Sequence, residues 1–138
     1  MEHFYQSKKF EETKENKWFI EEIINQSTPN KSRVLATQKV GGGYKWRTDM
    51  NPIIKKSIKD GIKMRKDWDD IKLDIMITGV CEKFKQNPKF KAALMTTKGK
   101  LYENSPRDSY WGIGKDKKGE NYLGIILELI REITSNRL

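Results

Sequence analysis

Residues 67–86, DWDDIKLDIMITGVCEKFKQ, carry the longest uninterrupted helical pattern in the chain. Ile71, Ile75, Val80 and Phe84 recur near one face, with Trp68 at the start. A long one-sided helix needs other elements to cover its apolar stripe, so the flanking segments should be built to do so. Asp67 is placed to cap it, and Asn87-Pro88 ends it. Pro88 can then open a further helix over 88–97, because a first-turn proline loses no helical hydrogen bond.

The rest of the chain reads the same way. Residues 2–10 predict a short helix, and 17–26 another with Phe19, Ile20, Ile23 and Ile24 on one side. Ser27-Thr28-Pro29 breaks that pattern, and a third helix covers 31–39 with Val34, Leu35 and Ala36. Residues 40–52, VGGGYKWRTDMNP, predict a loop, since three consecutive glycines disfavour regular structure. Pro52 then opens a helix capped by Asn51, running to about Lys59 and stopped by Gly61. KLYEN, 100–104, is the best strand candidate. A last helix over 121–134 presents Leu123, Ile126, Leu127, Ile130 and Ile133. The prediction is a mainly α fold, a helix-rich α+β chain with one or two short strands, forming a single domain over 1–138.

Composition excludes several classes. No apolar run approaches the roughly 20 residues of a membrane span, and MEHFYQSKKF lacks the apolar stretch of a signal peptide. Cys81 is the only cysteine, which points to a reducing cytoplasm; mid-helix between apolar neighbours, it is expected to be buried and inert. One cysteine and one histidine argue against a zinc site, and no metal or cofactor is expected. The net charge of +9 is compatible with a phosphate-bearing or nucleic-acid partner. The lysines are scattered along the chain, so the charge alone does not make a nucleic-acid binder.

Residues 107–121, RDSYWGIGKDKKGEN, carry the strongest local hint of a site. Asp108 stands three residues before Trp111, and Gly112 and Gly114 allow close backbone approach or positive φ. An acid beside an indole suits a flat heterocycle or a sugar. The plainer alternative is a turn with a core tryptophan.

Four blocks together resemble the NADAR family, the YbiA-like N-glycosidases. They are EHFYQSKKF at 2–10, RKDWDDIKLDIM at 65–76, KFKQNPKFKAALMTTKGKLYENSPRDSYWGIG at 83–114 and GENYLGIILELIRE at 119–132. The third is the most specific, because order, spacing and residue types all agree. The resemblance implies a compact helix-rich fold with small strands and hydrolysis of an N-glycosidic bond. The implied substrates are phosphoribosylamino-pyrimidine intermediates of riboflavin synthesis, or ADP-ribosylated guanine in nucleic acid. Family members usually carry a leading segment with strands and part of the pocket before the first block. Here Met1 immediately precedes Glu2, so a domain lacking that segment is expected, and a truncated non-catalytic ligand-binding module is the third reading.

Cleaving such a bond passes through an oxocarbenium-like cation, which a carboxylate can stabilise while a proton donor helps the base leave. The resemblance puts Glu2 first as catalytic carboxylate, against a helix N-terminal acid favoured by the dipole. Asp108 is second, against an N-cap of a turn. Trp68, Trp111, Tyr5, Gly112 and Asn121 are the substrate-binding candidates; Trp68 and Trp111 have a core role as alternative, and Asn121 that of capping the last helix. Glu2 shares a helix face with Tyr5 or Gln6, whereas His3 points elsewhere. Lys9 is expected to be solvated, with phosphate contact as its alternative. GGGYKWR at 41–47 could cradle phosphate through Lys45 and Arg47, but lacks the spacing of a P-loop.

Overall fold

The structure is a computed structural model that describes residues 1–37, 39–40, 45–46 and 51–136. The chain forms two compact units, Met1–Val80 and Cys81–Leu138. Seven helices are present among the described residues, as the mainly α prediction requires.

In the first unit, α1 (Glu2–Ser7), α2 (Lys17–Ile24) and α3 (Pro29–Ala36) pack on one another, and α4 (Pro52–Lys59) joins through α2. Strands β1 (Lys39–Val40) and β2 (Lys45–Trp46) form a two-residue antiparallel pair with Lys39 opposite Trp46. The core is Phe10, Phe19, Ile23, Leu35, Ala36, Ile54 and Ile62. Phe10 and Phe19 meet edge to face, 5.0 Å between ring centroids. Each large apolar side chain buried there contributes about 1.5–3 kcal/mol.

Local chemistry sets the helix ends. Helix α1 stops at Ser7, earlier than its sequence pattern, and the turn that follows sends Phe10 into the core. Pro29 opens α3 rather than interrupting it, because Thr28 Oγ1 accepts the Lys31 N–H at 3.1 Å. Asn51 Oδ1 accepts from the N–H groups of Ile53 and Ile54, and Pro52 sits in the first turn, as predicted. Gly61, at φ +72°, ends α4. The Gly61 N–H donates to Ile58 and the Ile62 N–H to Ser57, the paired bonds of a Schellman cap.

Helix α5 (Trp68–Gln86) runs through the boundary between the units. Trp68, Met76, Gly79 and Val80 form its buried side in the first unit. A Cβ on Gly79 would lie 3.1 Å from the Met1 side chain and 3.2 Å from Phe4, so this glycine lets α1 approach closely. Asp67 precedes α5 and its carbonyl accepts the Ile71 N–H at 3.2 Å, while its carboxylate is held by Arg65, at 2.6 Å and 3.0 Å.

The second unit contains the end of α5, then α6 (Pro88–Met95) and α7 (Tyr122–Asn136), with α6 packed on α7. Two expectations fail here. Segment 100–104 is not a strand, because side chains and the Ile113 N–H, rather than a neighbouring strand, take its backbone groups. Leu101 N–H donates to Glu128 at 2.7 Å, while the Asn121 amide takes the Leu101 carbonyl and the Glu103 N–H. Cys81 is exposed, since the residue after buried Val80 is rotated about 100° around the helix. Ile133 is also 44% exposed, with Ile125 and Leu129, so the buried side of α7 is narrower than its apolar sequence. Arg131 ties α7 to the end of α6 by donating to Thr97 Oγ1 and the Gly99 carbonyl. No helix among the described residues is long and apolar enough to cross a membrane.

Candidate active site

Helix α1 and the turn after it bring four polar or aromatic groups to one side. Glu2, Tyr5, Gln6 and Lys9 follow the three-and-four spacing of a helical face. Gln6 Nε2 donates to Glu2 Oε1 at 2.6 Å. Tyr5 is buried and meets the buried Trp68 edge to face, with ring centroids 5.0 Å apart and planes at 67°. The alternative weighed for Trp68, a packing role, is therefore realised, and its packing partner is another candidate residue. His3 points away and its Nε2 bonds the Gln26 carbonyl at 2.9 Å.

Lys9 departs from expectation. It is half-buried rather than fully solvated, and burial lowers its pKa from 10.5 to about 8, against the pull of Glu2 and with help from the charges of Arg33 and Lys72. Its ammonium lies 5.7 Å from the centre of the Tyr5 ring. The backbone holds it at both ends, through Lys9 N–H to the Gln6 carbonyl and Arg65 N–H to the Lys9 carbonyl. A carboxylate and an amine with a pKa lowered to about 8 thus share one face of this unit. Such a pair can exchange a proton with a bound molecule. Sequence placed Gln6 on the right face, but the burial of Lys9 comes from tertiary packing and leaves no local signal.

In the second unit, Asp108, Trp111, Gly112 and Asn121 come together in a loop wound onto the start of α7. Asp108 Oδ1 accepts from the N–H groups of Tyr110 at 3.0 Å and Trp111 at 2.8 Å, the capping geometry offered as its alternative role. Trp111 is half-buried and edge-on to Tyr110 at 4.6 Å. A Cβ on Gly112 would stand 2.7 Å from the Glu103 carbonyl oxygen and 2.9 Å from that of Asp108, so only glycine fits. Gly114 takes the positive φ, +73°.

Asn121, at φ +55°, does not cap α7 with its side chain. Its Oδ1 accepts from Glu103 N–H at 2.9 Å and its Nδ2 donates to the Leu101 carbonyl at 2.8 Å. The first N–H groups of α7 are met instead by loop carbonyls, Tyr122 to Tyr110 and Leu123 to Trp111. The phosphate-cradle reading of 41–47 lies outside the described residues, apart from the Lys45–Trp46 strand. Among the described residues no three His, Cys, Asp or Glu side chains converge to hold a metal ion.

Comparison with known proteins joins these blocks. An N-glycosidase of Nostoc punctiforme is 42% identical over 77 residues, 55% of this chain and 49% of that protein. A chloroplastic riboflavin biosynthesis protein of Arabidopsis thaliana is 41% identical over 69 residues, 49% of this chain and 12% of that protein. The chain therefore spans about half the length of the first and a small part of the second. The N-glycosidase YbiA of Escherichia coli is 31% identical over 132 residues, 95% of this chain and 67% of that protein. Its solution NMR structure aligns with 99% of this chain and 67% of that one, at TM-score 0.70 and 28% identity. The family model described as the NADAR domain matches residues 1–134, taking in the Glu2 helix, Trp68 and the Asp108–Asn121 loop in a single span. The chain belongs to the NADAR domain family.

Proposed function

We propose that this chain is an N-glycosidase that hydrolyses the bond between a ribose phosphate and an aminated pyrimidine-type base. The observation that carries this reading is the face of the first unit on which Gln6 holds Glu2 at 2.6 Å beside the Tyr5–Trp68 ring contact, with a half-buried Lys9 whose pKa is lowered to about 8. Water adds to the anomeric carbon, the C–N bond breaks, and the nitrogen leaves with a proton. Glu2 stabilises the cationic sugar or takes the proton of the attacking water. Lys9, mostly protonated at neutral pH yet able to release its proton, serves the departing nitrogen. Tyr5 and Trp68 fix the position of this face. In the second unit, Asp108, Trp111, Gly112 and Asn121 are the base-binding candidates, with Trp111 as the stacking surface. The names of the relatives, two N-glycosidases and a riboflavin biosynthesis protein, support both the bond type and the substrate class. Work on such an intermediate belongs in the cytoplasm and needs neither metal nor cofactor.

A second reading, removal of ADP-ribose from guanine in nucleic acid, draws on charge. The chain carries +9, and a groove of about 600 Å³ in the first unit is lined by Lys63, Arg65 and Lys66, together with Glu11 and Asp67. A release assay on the purified chain decides between the two. The phosphoribosylamino-pyrimidine and ADP-ribosylated guanine DNA are offered in parallel, with Glu2→Ala as control. Turnover of the small substrate, lost in Glu2→Ala, is expected. Turnover of the DNA alone selects the second reading, and a folded sample inactive on both marks a binding module.

A further inference from the structure

We propose that Gln6 is the positioning residue of Glu2, a buried amide that holds one carboxylate oxygen and thereby fixes where the other points. This rests on the catalytic role given to Glu2 and adds to it. Gln6 lies one helical turn after Glu2 and is 3% exposed. Its Nε2 donates to Glu2 Oε1 at 2.6 Å. Its own Oε1 is buried and has no hydrogen-bond partner among the described residues.

The first bond dictates the sense of the amide. With the carbonyl turned toward Glu2, two acceptors would face each other, so the N–H end must meet the carboxylate. The carbonyl end is then left in the packing without a donor. A buried polar atom without a partner is costly and rare, and a methionine or leucine would fill the same space without it. What the amide supplies and an apolar side chain cannot is the N–H to Glu2.

That bond matters because a glutamate in a first helical turn otherwise samples several rotamers. Hydrolysis at an anomeric carbon needs the reacting oxygen within about 3–3.5 Å, and a displacement near 1 Å costs on the order of 100-fold in rate. Gln6 Oε1 is itself enclosed, so its loss should leave substrate affinity unchanged.

The test replaces Gln6 by methionine, which keeps volume and removes the amide. With the phosphoribosylamino-pyrimidine as substrate, kcat should fall roughly 10- to 100-fold while KM holds and Tm does not fall. In the Glu2→Ala background, Gln6→Met should bring no further loss, because the bracket then has nothing to hold. Unchanged kcat in Gln6→Met, or a fall in kcat accompanied by a fall in Tm, overturns the proposal. An arm independent of turnover uses the side-chain amide protons of Gln6 by NMR. They should shift on Glu2→Ala, and no response means the bracket is absent. If they shift while Glu2→Ala keeps full turnover, the contact stands, and it is the catalytic reading of Glu2 that fails.

Discussion

Lys9 shows how far a side chain's chemistry can depart from its sequence context. It sits in a run of polar residues, SKK, where solvation is the natural expectation. Burial instead lowers its pKa to about 8, chiefly by desolvation, with the charges of Arg33 and Lys72 adding to it. The consequence for stability has a definite sign. In the unfolded chain Lys9 keeps its proton to about 10.5, in the folded protein only to about 8. Between those values the unfolded state binds more protons, so raising the pH favours the fold; below about 8 both states are charged and the burial penalty is constant. Lys9→Met removes that penalty. The variant should therefore be more stable than wild type near neutral pH, with the gap closing as pH rises toward 10. Urea midpoints at roughly pH 7.5 and 10 read this, and a constant gap would mean that Lys9 is not desolvated. Gln6 was partly legible, since helical spacing put it beside Glu2, but its orphaned carbonyl belongs to packing that no local pattern encodes.

Among the elements, the helices were legible because their punctuation is chemical and local. Asn51-Pro52 at one end of α4 and Gly61 beyond the other are short-range signals, and the structure uses both. Asn51→Ala should cost about 1 kcal/mol, since its Oδ1 meets two N–H groups that α4 cannot satisfy itself. The shift of the urea midpoint at unchanged slope measures it; no shift would mean that water replaces the cap. Segment 100–104 was misread for the opposite reason. Its β-like composition is local, but its side-chain partners, Asn121 and Glu128, lie 18 and 27 residues further along. A strand is defined by a neighbouring strand, and here an asparagine and a glutamate occupy that place. The same long reach explains why Asn121 looked like a helix cap: it stands at the right position before α7, but its side chain faces the 101–103 backbone.

At the scale of the molecule, the quantity most easily over-read is the net charge of +9. Arg65 is already paired with Asp67, Lys8 with Glu12 and Lys72 with Asp69. For a small substrate with one phosphate, KM should change only a few-fold between about 50 and 200 mM salt, whereas a nucleic-acid substrate contacting six or more phosphates loses about a thousandfold in affinity. Steady-state kinetics across that range therefore reports which substrate class the surface serves, and a steep loss with the small substrate would count against the reading preferred here. Fold class and family were legible from blocks distributed over the chain, whereas the capping of Asp108 and the clamp of Asn121 depend on how a loop winds onto a helix. The exposed Cys81 has a practical use as well. It is the chain's only thiol, and it stands on the helix that passes from one unit into the other. A maleimide fluorophore will attach there and nowhere else, giving a single-site reporter for following unfolding without engineering. The same thiol can link two molecules through air oxidation, so an unreduced stock will accumulate a covalent dimer that owes nothing to a biological interface.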